Sequence, residues 1–146
     1  MRSVAPPRGR LFQEDLLRRP FWMLVACSLV NRTTWEVAEP AFLSIRRRYP
    51  TPGHLARARA YDIGRTLRPL GLWRQRGRRL PELAKAWLAR RPETSADVES
   101  LPGCGRYAAD SWAIFVEGRR DVEPDDGKLN WYVETRIKNI ECSKNT

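Results

Sequence analysis

The sequence predicts an all-α chain whose helices are joined by short connections. Apolar residues recur at helical spacing in one segment after another. Alternation at period two, the mark of a half-buried strand, is absent. Capping and turn residues punctuate the chain between those segments.

Taken in order, Phe21 to Val30 (FWMLVACSLV) reads as a buried helix; it is the longest apolar run, and its ten residues are too few for a membrane span, which needs roughly 20. Thr33, with Glu36 three residues on, makes a capping box for the next helix. That helix is expected to run towards Arg48, with a kink at Pro40 and an end at Tyr49-Pro50. Thr51-Pro52 supplies an N-cap and a first-turn proline for a short helix. Another spans Asp62 to Leu67 and stops at the turn Pro69-Leu70-Gly71. From Arg74 to Ala89, Leu80, Leu83, Ala84, Trp87 and Leu88 form an apolar face, with arginines opposite. Leu101-Pro102-Gly103-Cys104-Gly105 is a tight turn between a short helical segment and an apolar helix, Tyr107 to Val116. A last helix covers Gly127 to Ile137, with Asp126 at its start. Trp22, Trp87 and Trp112 fall on apolar faces and are expected in the core.

With 146 residues, 42% hydrophobic and 30% charged, the chain suits one globular domain and is too apolar for a disordered tail. That domain is expected over residues 11–135, between a basic arm (1–10) and an atypical tail (136–146). The tail turns to Lys, Asn, Ser and Thr, and reads as a poorly packed end or a natural truncation. Met1 to Arg10 has no apolar stretch that would make a signal peptide. Cys27, Cys104 and Cys142 are isolated cysteines, which argues against a disulfide framework or zinc knuckle and for a reducing intracellular setting, cytoplasm with its nucleoid or nucleus.

Charge points to a partner. Lys plus Arg number 27 against 17 Asp plus Glu, a net +10 whose default counterpart is nucleic acid. From Arg65 to Arg91 there are nine basic residues and one acid, Glu82; from Pro92 to Asp126, nine acids and three arginines. A basic binding band beside a site that uses carboxylates fits this order better than a solvated helix face.

The L-x-G-x-G turn exposes backbone N–H groups at a helix N-terminus, where its glycines let a phosphate approach. Asp126 follows Gly105 by 21 residues. Turn and aspartate at this spacing resemble the helix-hairpin-helix base-excision DNA glycosylases. Phe21 to Thr34, Pro69-Leu70-Gly71-Leu72, Tyr107, Asp110-Ser111 and Asp126-Gly127-Lys128-Leu129-Asn130 look like the thymine/uracil mismatch branch, in family order, from about Leu11 to Tyr132. The methyl-CpG-binding domain found in that branch is missing from this chain.

The resemblance implies two helical subdomains with the active site in the cleft between them. It implies that Asp126 stabilises the oxocarbenium-like charge of glycosidic cleavage and orients a water; an N-cap role for the same residue is compatible. Strand-cutting relatives similar to endonuclease III carry a lysine at position 107 as Schiff-base nucleophile. Tyr107 cannot form that imine, so the resemblance implies a monofunctional enzyme whose tyrosine lines the base pocket, where its plainer role is packing. Arg32 matches the family's plug and Leu72 its wedge into the base stack; an ion pair and a helix-cap contact are the plainer alternatives. Gln13 matches a pocket glutamine that reads the Watson–Crick edge, or is an exposed helical glutamine. Lys128 joins the substrate contacts, and Leu101, Gly103, Cys104, Gly105 and Arg106 the contacts to the DNA backbone. Many relatives bind an iron–sulfur cluster through four cysteines after the catalytic aspartate; only Cys142 lies there, so no cofactor is expected. His54 is expected at the surface.

The implied activity is a monomeric glycosylase removing thymine or uracil mispaired with guanine in duplex DNA. Two other readings stay open: the same fold acting on adenine opposite oxidised guanine or on a modified pyrimidine, and a non-catalytic DNA-binding module.

Overall fold

The computed structural model describes residues 10–30 and 33–138. A single turn, Phe12–Asp15 (α1), starts the described chain, and the Glu14 carboxylate accepts the Leu11 N–H at 2.8 Å. Pro20–Leu29 (α2) has proline in its first turn, where the missing N–H is no loss, and buries Phe21 to Cys27 together with Leu29. This is the central helix, apolar on every side because other helices surround it.

Trp35–Arg48 (α3) keeps Pro40 inside and ends before Tyr49 as the sequence predicts, but its cap is shifted. Thr34, not Thr33, is the N-cap, and its hydroxyl accepts the Val37 N–H at 3.4 Å. The shift sets Trp35 in the first turn, where its ring stacks on Phe12 with centroids 4.6 Å apart. Thr51 caps the short Pro52–Ala56 helix (α4), and His54 is exposed with its ring on the Thr51 hydroxyl.

Ala60–Leu67 (α5) begins two residues before the expected Asp62 and passes through a 3₁₀ turn, Arg68–Leu70, into Trp73–Ala89 (α6). The pair crosses at glycines: a Cβ on Gly77 would overlap the Ala60 carbonyl and lie 2.8 Å from the Gly64 nitrogen. Two expectations for α6 fail. Leu88 lies outside the core, 56% exposed. Arg76, expected on the charged face, is buried, its Nη1 donating to the Leu29 carbonyl at 3.3 Å. The C-terminus of α2 presents carbonyls there, which a guanidinium satisfies and a leucine would not. Pro81, within α6, is buried as well.

Ser95–Glu99 (α7) and Arg106–Phe115 (α8) flank the glycine turn. Gly127–Tyr132 (α9) starts at Asp126 and loosens into a π-helical turn over Val133–Lys138 instead of remaining α-helical to Ile137.

The buried side chains form two clusters. The larger joins α2, α3, α5, α6 and α8 and holds Trp22, Trp87 and Trp112, each about 5% exposed or less. The smaller gathers Leu11, Ala113, Ile114, Val122, Leu129 and Val133. Tyr107 and Phe115 pack against both. The fold is thus all-α with two helical subdomains, and α8 is their common wall. No helix among the described residues is long and apolar enough to cross a membrane.

Candidate active site between the subdomains

A cavity of about 730 Å³ opens where the clusters meet, within the range of small-molecule sites. Its lining comes from the chain before α2 (Leu11, Phe12, Gln13), the end of α2 (Cys27, Val30), the start of α3 (Thr34, Trp35, Glu36), the hairpin (Gly103, Gly105, Tyr107) and the start of α9 (Asp126, Lys128). The stacked Phe12 and Trp35 rings give it a flat aromatic flank.

Asp126 reaches the cavity because it begins a helix. Its Oδ2 accepts the Leu129 N–H at 3.0 Å, which closes the first turn of α9. The other carboxylate oxygen has no hydrogen-bond partner among the described residues. A cap of this kind pins a charge at the positive end of a helix while keeping it at the cavity surface.

The same cavity is lined by part of a buried polar cluster. Gln13 is 1% exposed, so the alternative of an exposed helical glutamine is excluded. Its Nε2 donates to the Tyr107 hydroxyl at 2.8 Å and to the Ser111 hydroxyl at 3.2 Å. Ser111 is fully buried and also hydrogen-bonds the Cys27 thiol. Burial drives the acidity of the Tyr107 hydroxyl far down, with Cys27 and the Asp126 charge adding to it, so its pKa rises well above the usual tyrosine value. Cys27 is raised likewise by burial, and Cys104 is pushed up to about 12 by the same cause. Burial of this kind disfavours the thiolate form at both positions.

The hairpin is built by its side chains turning inward. Leu101 and Cys104 pack on the main core, while Gly103 takes φ +76 and a Cβ on Gly105 would meet nothing within 4 Å. The first N–H groups of α8 have no partner inside the helix, so this end offers donors to an anion. Arg106 is engaged with protein: Nη1 sits 2.6 Å from Asp125 Oδ2, Nη2 donates to the Glu123 carbonyl at 3.1 Å, and Nε lies 3.6 Å from Asp110 Oδ2.

Leu72 begins α6 in the left-handed region, φ 49, and is 51% exposed. It stands beside Gly103, with Arg79 and Gln75 around the same small hollow. Lys128 is exposed at the cavity, close enough that its charge helps hold the Glu36 carboxyl below its ordinary range, after the carboxyl's backbone hydrogen bond. Arg32 lies outside the described residues, as does Cys142. The cavity thus brings together Gln13, Tyr107, Asp126, Lys128 and the hairpin glycines; Leu72 stands apart from it. Sequence reasoning missed Phe12, Trp35, Glu36 and Cys27 as lining and Ser111 as the support of Gln13; Cys27 and Ser111 lie within matched motifs and Glu36 in the expected capping box, while Phe12 and Trp35 carried no signal.

Residues 25–140 match the model of the HhH-GPD superfamily base excision DNA repair proteins. The chain belongs to this superfamily. The HhH-GPD chain is 32% identical over 130 residues to the methyl-CpG-binding domain protein 4-like protein of Arabidopsis thaliana, covering 87% of this chain and 28% of that one. It is 36% identical over 130 residues to the thymine/uracil-DNA glycosylase of Pyrobaculum aerophilum, covering 86% and 55%. It therefore spans about half the length of these relatives or less. The solved structure of a thermostable thymine-DNA glycosylase superposes with a TM-score of 0.63 at 23% identity, over 70% of this chain and 49% of that one, and shares the fold. The described residues do not fit a four-cysteine iron–sulfur centre: their two cysteines, Cys27 in α2 and Cys104 in the hairpin, both pack into the main core.

Proposed function

We propose that the protein is a monofunctional DNA glycosylase that hydrolyses the N-glycosidic bond of thymine or uracil mispaired with guanine in duplex DNA, acting as a monomer. The observation that carries this reading is the Asp126 carboxylate, fixed by its cap on the wall of a cavity roomy enough for an extruded nucleotide, which the Gln13–Tyr107 pair also lines. The relatives named for thymine and uracil support the choice of base.

Extrusion of a base costs a few kcal/mol and is cheapest at a mismatch. Leu72 enters the stack as a wedge and Arg32 fills the gap. The hairpin, through the N–H groups of α8 and the close approach its glycines permit, holds the phosphates that frame the extruded nucleotide. The base lies against the aromatic flank, with the Gln13 amide and the Tyr107 hydroxyl at its Watson–Crick edge and Lys128 at the mouth. As the bond to the base lengthens, positive charge develops on the sugar, and Asp126 stabilises it and orients the attacking water. With tyrosine at position 107 the product is an abasic site, not a cut strand.

The test is a panel of duplexes carrying G·T, G·U, a modified pyrimidine opposite guanine, or adenine opposite oxidised guanine, each followed by alkali. Breaks at thymine or uracil, appearing only after alkali, are expected. Breaks at another base would change the substrate, and tight binding without breaks on any duplex would leave a binding module.

A further inference from the structure

We propose that Arg106 is a positioning residue for the Asp126 carboxylate, and that its guanidinium serves the protein in place of a DNA phosphate. This rests on the role given to Asp126 above. Arg106 is the first residue of α8, a helix fixed by buried Ala108, Ala109, Ser111 and Trp112. The chain that leaves α8 runs from Val116 to Asp125 without a helix, and of its side chains Val122 and Pro124 are buried. Arg106 reaches across to the end of this loop. Three of its nitrogens meet three acceptors: the Asp125 carboxylate at 2.6 Å, the Glu123 carbonyl at 3.1 Å and the Asp110 carboxylate at 3.6 Å. Asp125 and Glu123 lie one and three residues before Asp126.

A planar guanidinium holding a carboxylate and a neighbouring carbonyl fixes direction as well as distance, which an ammonium does not. The Arg106 and Asp125 side chains are 58% and 66% exposed, so the pair adds little stability. What it sets is where the loop delivers Asp126 relative to the hairpin on the same helix. Displacement of a catalytic group by about 1 Å can lower a rate by about 100-fold. Arg106 also sets its positive charge beside the Asp110 and Asp125 carboxylates.

Two measurements on the full chain test this. In the DNA-free protein, hydrogen exchange of segment 117–126 should quicken by about tenfold in Arg106→Ala and Asp125→Ala, and exchange in α2 should not change. On a G·T duplex, single-turnover excision at saturating enzyme should fall by about tenfold or more in Arg106→Ala. Dissociation constants and their salt dependence should stay within twofold. Arg106→Lys should recover little, and the Arg106→Ala/Asp125→Ala double variant should be no slower than either single one. The proposal is overturned by weaker binding with a salt slope lowered by about 1 and restored by lysine, or by unchanged loop exchange. If the wild-type chain excises no base, the reading of Asp126 fails, while loop exchange still decides whether Arg106 holds the loop.

Discussion

Leu72 ties backbone strain to function in a way that two substitutions separate. Its φ of 49 and ψ of 34 follow Gly71 at φ 74, and this consecutive pair turns the chain from the 3₁₀ turn into α6. A side chain in the left-handed region costs about 1–2 kcal/mol. At 51% exposure, Leu72 recovers about half of a leucine's burial, roughly 1 kcal/mol. Leu72→Ala removes the burial and keeps the strain, so stability should fall by about 1 kcal/mol. Leu72→Gly removes both, less about 0.5 kcal/mol for the freedom glycine adds to the unfolded chain. The glycine variant should therefore be more stable than the alanine variant by about 0.5–1.5 kcal/mol, or ~1–6 °C in melting temperature for a domain of this size. Thermal melts followed by circular dichroism measure the difference. Both variants lack the wedge, so single-turnover excision should fall in both. An alanine variant at least as stable as the glycine one would refute the strain, and full activity in either would refute the wedge.

Tyr107→Lys should give a borohydride-trapped adduct with substrate DNA, and the wild-type protein none; a wild-type adduct would mean that another amine, with Lys128 at the cavity, does covalent chemistry. Gly105→Ala should leave urea stability unchanged, because a Cβ there meets nothing, and weaken duplex binding. Gly77→Ala should cost about 1–3 kcal/mol by driving α5 from α6; equal stabilities would contradict the packing. Burial raises the pKa values of Cys27, Cys104 and Tyr107 above those of the unfolded chain. Each therefore favours folding fully below its unfolded value, about 8.5 for cysteine and about 10 for tyrosine, and the contribution is lost as pH rises further. Melting temperature should decline above about pH 8.5, less steeply in Cys104→Ala; a flat profile to pH 10.5 would contradict the burial.

What the sequence made legible is what local chemistry decides. The Asp126 cap, the glycine hairpin, the Thr51-Pro52 start and the stop after Leu67 each depend on neighbours in the chain. The buried state of Gln13 does not, because its partners Tyr107 and Ser111 are 94 and 98 residues away. Arg76 has the pattern of a surface arginine, and its inward turn depends on the end of α2, whose Leu29 carbonyl it meets from 47 residues away. Leu88 fits the apolar stripe of α6, yet no element among the described residues covers it. Thr33 and Thr34 are equivalent as caps until Trp35 has a ring to stack on, and Phe12 is 23 residues earlier.

The central claim is that the Asp126 charge performs the chemistry. Asp126→Asn isolates it, because asparagine caps a helix about as well as aspartate and the amide oxygen can still accept the Leu129 N–H that Oδ2 accepts at 3.0 Å. The decisive measurement is single-turnover excision by this variant on a G·T duplex, alongside its affinity for the same duplex. The account predicts a rate lower by orders of magnitude with affinity unchanged. A rate within a few fold of wild type would contradict it and move the chemistry to another carboxylate, Asp125 first.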